Sequence, residues 1–266
     1  MKVALGIEYD GSHFHGWQSQ PDGQTIQNVL ENALAQVAGQ PVRTFCAGRT
    51  DSGVHALEQI VHFVSPVSRP VNAWVRGVNR YLPPSVAVLW ARPVADEFHA
   101  RYSASARRYH YWLLNRPVRA SIYSAYVGWY HLPLQVERMQ EAASLLTGEH
   151  DYSSFRSTQC QSRTPVRHLQ QLQVEQRDEY ILFRLQANAF LHHMVRNLIG
   201  CLVYIGKGTH PPRWAQTLLE AADRSLAPPT FPPQGLYLFQ VLYPEHFQLR
   251  PHRQATGSAG LPIQSR

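Results

Sequence analysis

Hydrophobic periodicity passes through the same succession twice in this chain, from strand-like alternation to helical spacing and back, and that repetition limits the folds open to it. Val3, Leu5, Ile7 and Tyr9 alternate with Ala4, Gly6 and Glu8, which is the pattern of a strand. After a polar stretch from Gly11 to Gly23, read as a long loop, Ile26, Val29, Leu30, Ala33, Leu34 and Val37 recur at helical spacing, and Gly39 follows as a stop. Strands are expected over 43–46 and 57–64, a helix over 71–81 ended by Pro83 and Pro84, and a strand over 86–91. The second half opens with a strand over 107–114, in which Tyr109 and Tyr111 alternate with His110 and Trp112. A helix over 136–146 and strands over 166–174 and 180–187 come next, with Ile181, Phe183, Leu185 and Ala187 on one face. Helices over 190–205 and 213–222 and a last strand over 236–243 complete the pattern. Two βαββαβ-like halves of this kind predict an α+β fold: two RRM-like or ferredoxin-like domains, 1–102 and 103–245, whose antiparallel sheets are juxtaposed around a central cleft. Residues 246–266 lack periodicity and are expected to form a disordered tail.

A groove between two sheets suits a long polyanion, and here charge enters the argument. Lys and Arg total 25 against 18 Asp and Glu, a formal +7, with arginine heavily favoured over lysine. Guanidinium groups grip phosphates in pairs of hydrogen bonds and stack on bases, so this balance points to a nucleic-acid partner. Cys46, Cys160 and Cys201 are odd in number and lack CxxC spacing, as expected of reduced cysteines in a cytoplasmic protein. The N-terminal apolar run, Val3 to Ile7, is too short for a signal peptide, and no stretch approaches the ~20 apolar residues of a membrane span, so neither secretion nor a membrane is expected. His192 and His193 are adjacent and would point to different sides of the 190–205 helix; with no HExxH and no Cys/His cluster, no metal is expected. The phosphate loop, the dinucleotide fingerprint and the GxSxG elbow are all missing, which leaves ATP, dinucleotide and serine-hydrolase chemistry without support.

One carboxylate stands out. Residues 47–56, AGRTDSGVHA, place Asp51 between Gly48 and Gly53, which let the chain turn sharply on either side of it. Arg49 and His55 offer partners that would keep Asp51 ionised. The competing reading is a polar turn in which Asp51 bonds its own backbone. Arg107, Tyr109 and Tyr111 share one face of a strand, a surface that either stacks bases and holds phosphates or packs into a core. Arg196 falls at the edge of the apolar arc of the 190–205 helix, where its guanidinium either meets a carboxylate or snorkels to water. Leu236 begins the last strand and offers an apolar contact, to a ligand or to the core.

Taken in order, AGRTDSGVHA at 47–56, ARRYHYWLLN at 106–115, DYSSFR at 151–156, NAFLHHMVRNLIG at 188–200 and GLYL at 235–238 resemble the TruA family of tRNA pseudouridine synthases, over residues 1 to about 245. The resemblance implies the pseudouridine synthase fold and a cofactor-independent isomerase that converts uridine to pseudouridine at positions 38, 39 and 40 of the tRNA anticodon arm. It also implies a homodimer whose two subunits both contact the tRNA. By motif matching, Asp51 is the nucleophile, Tyr109 stacks on the target base, Arg196 is the ion-pair partner of Asp51, and Arg49 helps displace the target nucleotide. Phe231 and Pro233 depart from the small residues the family usually carries there, which bears on the shape of that loop.

Two other functions remain consistent with parts of the pattern. A non-catalytic RNA-binding protein would account for charge and aromatics alone. A glycosidase acting through Asp51 would ordinarily pair it with a second acid, and none accompanies it locally.

Overall fold

The computed structural model describes residues 1–249. β1 (Lys2–Tyr9) lies antiparallel between β3 (His55–Val64) and β4 (Val86–Pro93), with Leu5 opposite Val61 on one side and Ala91 on the other. The two-residue β2 (Phe45–Cys46), shorter than the 43–46 strand expected, pairs with β3. Between β1 and β2 runs α1 (Ile26–Ala38), capped by the Thr25 hydroxyl, which accepts from the Asn28 N–H, and stopped by Gly39 at φ 76°. The helix expected over 71–81 forms with a π-type stretch at Ala73–Gly77, where Trp74 is fully buried edge-on to Phe63.

The second half contributes β5 (Ala106–Asn115), β6 (Gly128–Tyr130), α2 (Val136–Leu146), β7 (Gly148–Asp151), β8 (Val166–Arg177), β9 (Tyr180–Ala187), α3 (Met194–Gly206), α4 (Trp214–Ala221) and β10 (Leu236–Leu242). β6 and β7 were not foreseen. Both are short, and Gly-Glu-His-Asp in β7 has no apolar alternation.

The two juxtaposed sheets expected from the sequence are one continuous mixed sheet, in the order β4-β1-β3-β10-β5-β9-β8-β7. β10 joins the halves. It runs parallel to β3, with Tyr237 beside His55 and Leu238 beside Ala56, and antiparallel to β5, with Leu236 opposite Tyr111. Leu236, Tyr237 and Leu238 are all buried, the pattern of a strand covered on both faces rather than of an edge. β10 thus covers the edge of β5 from Ala106 to Tyr111 and the start of β3, while β2 pairs a further stretch of the same β3 edge. In β5, Tyr109, Tyr111 and Leu113 enter the main core, whereas Trp112 and Leu114 join a smaller cluster with Leu182, Tyr237, Ala120 and Val127.

Two further expectations change. α3 begins at Met194 and not at residue 190, because His193 adopts φ 63°. Residues 246–249 are ordered: Phe247 packs edge-on to Phe98, and the Gln248 carbonyl accepts from Arg92 at 2.9 Å. The rest of the expected tail lies outside the described residues. Among the described residues, no helix is long and apolar enough to cross a membrane.

Candidate active site

The loop from β2 to β3 carries Asp51, and three neighbouring segments fix its shape. Gln59, fully buried in β3, clamps the loop through Gly48: its Nε2 donates to the Gly48 carbonyl at 2.5 Å, and its Oε1 accepts the Gly48 N–H at 3.3 Å. The Tyr9 hydroxyl bonds Thr50 Oγ1 at 2.8 Å. The loop read over Gly11 to Gly23 forms the third support, with Trp17 N–H donating to the Thr50 carbonyl at 3.0 Å and the Ser52 hydroxyl donating to the Phe14 carbonyl at 3.1 Å. A turn closes at Gly53, which holds φ 77°; a Cβ there would lie 3.1 Å from Pro233, so this glycine is needed both for its backbone angle and for the close approach of the 228–235 loop.

Across from this loop stands α3. Arg196 Nη1 donates to Asp51 Oδ2 at 2.9 Å, and its Nε donates to the Phe231 carbonyl at 2.7 Å. The guanidinium is thus held from two sides, and Phe231 takes part through its backbone. The arginine at the edge of the apolar arc meets a carboxylate and does not snorkel to water. The reading in which Asp51 bonds its own backbone is not what forms.

Two histidines missed as partners complete the arrangement. His192 Nε2 lies 3.4 Å from Asp51 Oδ1, and His193 Nε2 lies 3.5 Å from Oδ2. The expectation that they diverge assumed a helix through residue 190. Left-handed backbone at His193 instead swings both rings to the Asp51 side, with centroids 4.0 Å apart. A positive φ at a residue with a Cβ is uncommon, and here it is what places both imidazoles beside the acid. Asp51, His192 and His193 offer ligand atoms that all lie within 4.8 Å of one another, a spacing a divalent ion could bridge. Arg196 is a cation already bound to one of those oxygens.

Electrostatics at Asp51 pull in opposite directions. Burial alone would raise its pKa, but the neighbouring imidazoles of His192 and His193 and the hydrogen bond and charge of Arg196 more than compensate, and the carboxyl is held below the usual carboxylate range. His193 is itself shifted down by burial, with Asp51 opposing and Arg196 and Arg224 assisting. Arg196 is the permanent positive charge at this carboxylate.

Tyr109 is buried, packs edge-on against Phe190 at 5.0 Å, and presents its hydroxyl toward Gly48, where a Cβ would stand 3.7 Å away. Burial, and then the Asp51 carboxylate, push its phenol far up, so it stays protonated. Arg49 is exposed and makes no ion pair among the described residues. Leu236 is buried at the start of β10, opposite Tyr111, and belongs to the main core. His55 does not reach Asp51. Its Nε2 donates toward the Ala125 and Gln234 carbonyls, its Nδ1 accepts the Gly11 N–H, and Asp10 lies beside it.

The ion pair that the resemblance implied between Asp51 and Arg196 is present, while Gln59, His192 and His193 were not singled out as partners. A glutamine within a buried apolar strand was a legible signal for the first; nothing in the pattern announced the backbone reversal at His193.

Comparison with known proteins bears on the same residues. A family profile described as "tRNA pseudouridine synthase" matches residues 6–103 and 142–244. These segments contain Arg49, Asp51, Arg196 and Leu236, and Tyr109 falls between them. A protein of Dechloromonas aromatica (strain RCB) named tRNA pseudouridine synthase A is 57% identical over 249 residues, 94% of this chain and 95% of the relative. Relatives of the same name are 56% identical in Paraburkholderia xenovorans (strain LB400), covering 92% of this chain and 91% of the relative, and 57% identical in Chromobacterium violaceum, covering 94% and 95%.

Proposed function

The chain belongs to the tRNA pseudouridine synthase family and is an isomerase, and from that premise we propose that it converts uridine to pseudouridine at positions 38, 39 and 40 of the tRNA anticodon arm, with Asp51 as the nucleophile. The observation that supports this most directly is the 2.9 Å ion pair between Asp51 on one loop and Arg196 on a helix of the other half.

Pseudouridine formation breaks the bond from N1 to ribose C1′, turns the uracil, joins C5 to C1′, and moves the C5 proton away while N1 gains one. Mass is unchanged, and no oxidant or reductant enters. Asp51 can open this sequence by attacking C1′, by attacking C6 of the ring, or by taking a ribose proton. Each route starts from an ionised carboxylate, which is the state Arg196 maintains.

A stacked uridine must first be everted, and unstacking costs a few kcal/mol. Tyr109 would stack on the displaced base. Arg49, an exposed guanidinium two residues from the nucleophile, would occupy the space the nucleotide leaves, and Leu236 would bound the base pocket. The working unit is a cytoplasmic homodimer whose tRNA touches both subunits, each built from halves 1–102 and 103–245. No cofactor takes part.

The test is nucleoside analysis of an unmodified tRNA transcript incubated with the protein alone. Pseudouridine at the three positions is expected. Release of free uracil would identify a glycosidase, and bound but unchanged uridine a non-catalytic RNA-binding protein.

A further inference from the structure

Immediately before the catalytic loop, four rings form a continuous array that reaches the surface at its two ends. Phe45 stacks on His62 with centroids 5.1 Å apart and planes at 21°. His62 meets His99 at 4.6 Å, and His99 meets Tyr102 at 4.4 Å. Phe45 is 40% exposed and Tyr102 75% exposed, so both ends of the array face solvent. Each end carries a guanidinium: Arg43 lies 5.4 Å over the Phe45 ring, and Arg101 lies 5.6 Å over Tyr102. Both arginines are exposed, and neither is in an ion pair among the described residues.

The array is rigid. His62 Nδ1 accepts the Ala100 N–H at 3.1 Å, and His99 Nδ1 accepts the Arg101 N–H at 3.1 Å. Burial, and then neighbouring positive charge, hold His62 down to about 4 and lower His99 as well, and His62 is itself buried, so it supports the exposed rings from beneath. Arg107, buried in β5, links the array to the site: one of its nitrogens donates both to the Ala47 carbonyl and to the Arg101 carbonyl, and another donates to the Asn188 carbonyl just before Phe190.

Core packing does not call for two large rings held open to water, nor for two guanidinium groups left without carboxylates beside them. Rings flanked by free arginines are what a single nucleic-acid strand requires, since every base has a face to stack and every step a phosphate to neutralise. We propose that the exposed rings of Phe45 and Tyr102, backed by His62 and His99 and flanked by Arg43 and Arg101, form a stacking platform for unpaired nucleotides flanking the target uridine. This rests on the reading of the enzyme as one that acts on tRNA. It adds a second RNA contact, outside the Asp51 pocket, that anchors the loop while the target base is everted.

The experiment measures binding of a fluorescein-labelled tRNA transcript by anisotropy over a salt series, alongside steady-state kinetics. Tyr102→Ala removes a ring that supports no core, and Phe45→Leu removes a ring while keeping apolar bulk. Each is expected to weaken binding about tenfold to a hundredfold, the range of one lost base stack, with the loss carried by KM and not by kcat. Arg43→Gln and Arg101→Gln should each lower the slope of log affinity against log salt by about one, a change the ring variants should not make. Ring variants that bind tRNA within twofold of wild type would overturn the platform. So would a Tyr102→Ala protein that turns from dimer to monomer in sedimentation with its RNA affinity intact, which would mark the array as a contact between copies. Failure of the wild type to form pseudouridine, with the ring variants still losing affinity, would instead count against the catalytic reading and leave the platform standing.

Discussion

Asp10, just after β1, and Asp51, in the loop before β3, are both partly buried carboxylates beside histidine and both are held in the ionised form, yet their surroundings differ in kind. Asp10 is saturated. Its Oδ1 accepts from the Ser12 N–H at 2.9 Å and the Ser12 hydroxyl at 2.5 Å, its Oδ2 accepts from the Tyr126 hydroxyl at 2.8 Å, and His55 stands 3.2 Å away. Asp51 has one partner at full bonding distance, Arg196, and two imidazoles at 3.4 and 3.5 Å, too far for strong bonds. Its Oδ1 therefore keeps lone pairs for an incoming electrophile. Ionisation alone does not separate the two acids; what distinguishes them is that one spends more of its acceptor capacity on the fold.

The largest effect that follows is a separation of activity from stability. Asp51→Asn should lower pseudouridine formation by more than about a thousandfold, as follows from the proposed role of Asp51 in opening the reaction, with no fall in Tm. Asp10→Asn should leave turnover within a few-fold of wild type. The comparison breaks if the two variants behave alike.

Arg196→Ala comes next. Removing the one charged donor should lower kcat about a hundredfold to a thousandfold. It should also move the pH profile in a definite direction: the guanidinium stabilises the charged form of Asp51, so without it the Asp51 pKa rises and the acid limb of kcat/KM shifts to higher pH. A lower kcat with an unmoved acid limb would assign Arg196 to structure alone.

How much of this was legible in the sequence depended on whether the information was local. The period-two runs at Val3–Tyr9 and 180–187 and the helical spacing of α1 and α2 predicted their elements closely, because each buries a face whose period is written in adjacent residues. The continuous sheet was not legible. It depends on β10 serving both halves, and the apolar residues of Leu236–Leu238 read equally as a strand of either one. In the site, Asp51 and its glycines stood out in the composition of the loop, whereas Arg196 at the edge of an apolar arc read equally as a side chain snorkelling to water, and only the family resemblance paired it with Asp51. His192 and His193 could not be read as partners, since one backbone reversal at His193 decides where both rings point. The same nonlocality explains His55, which was expected at Asp51 and is occupied by Gly11, Ala125 and Gln234.

On the stability side, Asp10→Asn leaves the Ser12 and Tyr126 donors poorly matched, and about 2 kcal/mol of stability should be lost, read as a fall of about 4–8 °C in Tm. The pH dependence has a fixed sign. The folded pKa of Asp10 is depressed, so its contribution is present above the ordinary aspartate value near 4 and is lost as pH falls below it. The wild type should therefore lose stability more steeply than the variant in that acid window, as followed by thermal melts. Gly53→Ala is a smaller perturbation of the other acid's loop. An alanine at φ 77° costs about 1–2 kcal/mol and would press on Pro233, so both Tm and kcat should fall, kcat by more than in a Gly23→Ala control, where φ is also positive and no neighbour lies within 4 Å.

The smallest expected effect is none at all, and it tests the last way the two acids could differ. Asp51, His192 and His193 have the spacing of a metal site, which Asp10 with its hydroxyl donors does not. A divalent ion there would have to sit beside the Arg196 guanidinium, bound at 2.9 Å to the same carboxylate, and the repulsion between the two cations opposes its entry. Arg196 already supplies the positive charge that keeps Asp51 ionised. Dialysis against EDTA, followed by assay in chelated buffer, should therefore leave kcat and KM for tRNA unchanged. A loss of activity restored by added zinc or manganese would show that the imidazoles, and not the guanidinium, are the partners that matter, and the contrast between a saturated acid and an arginine-poised one would have to be redrawn around a metal.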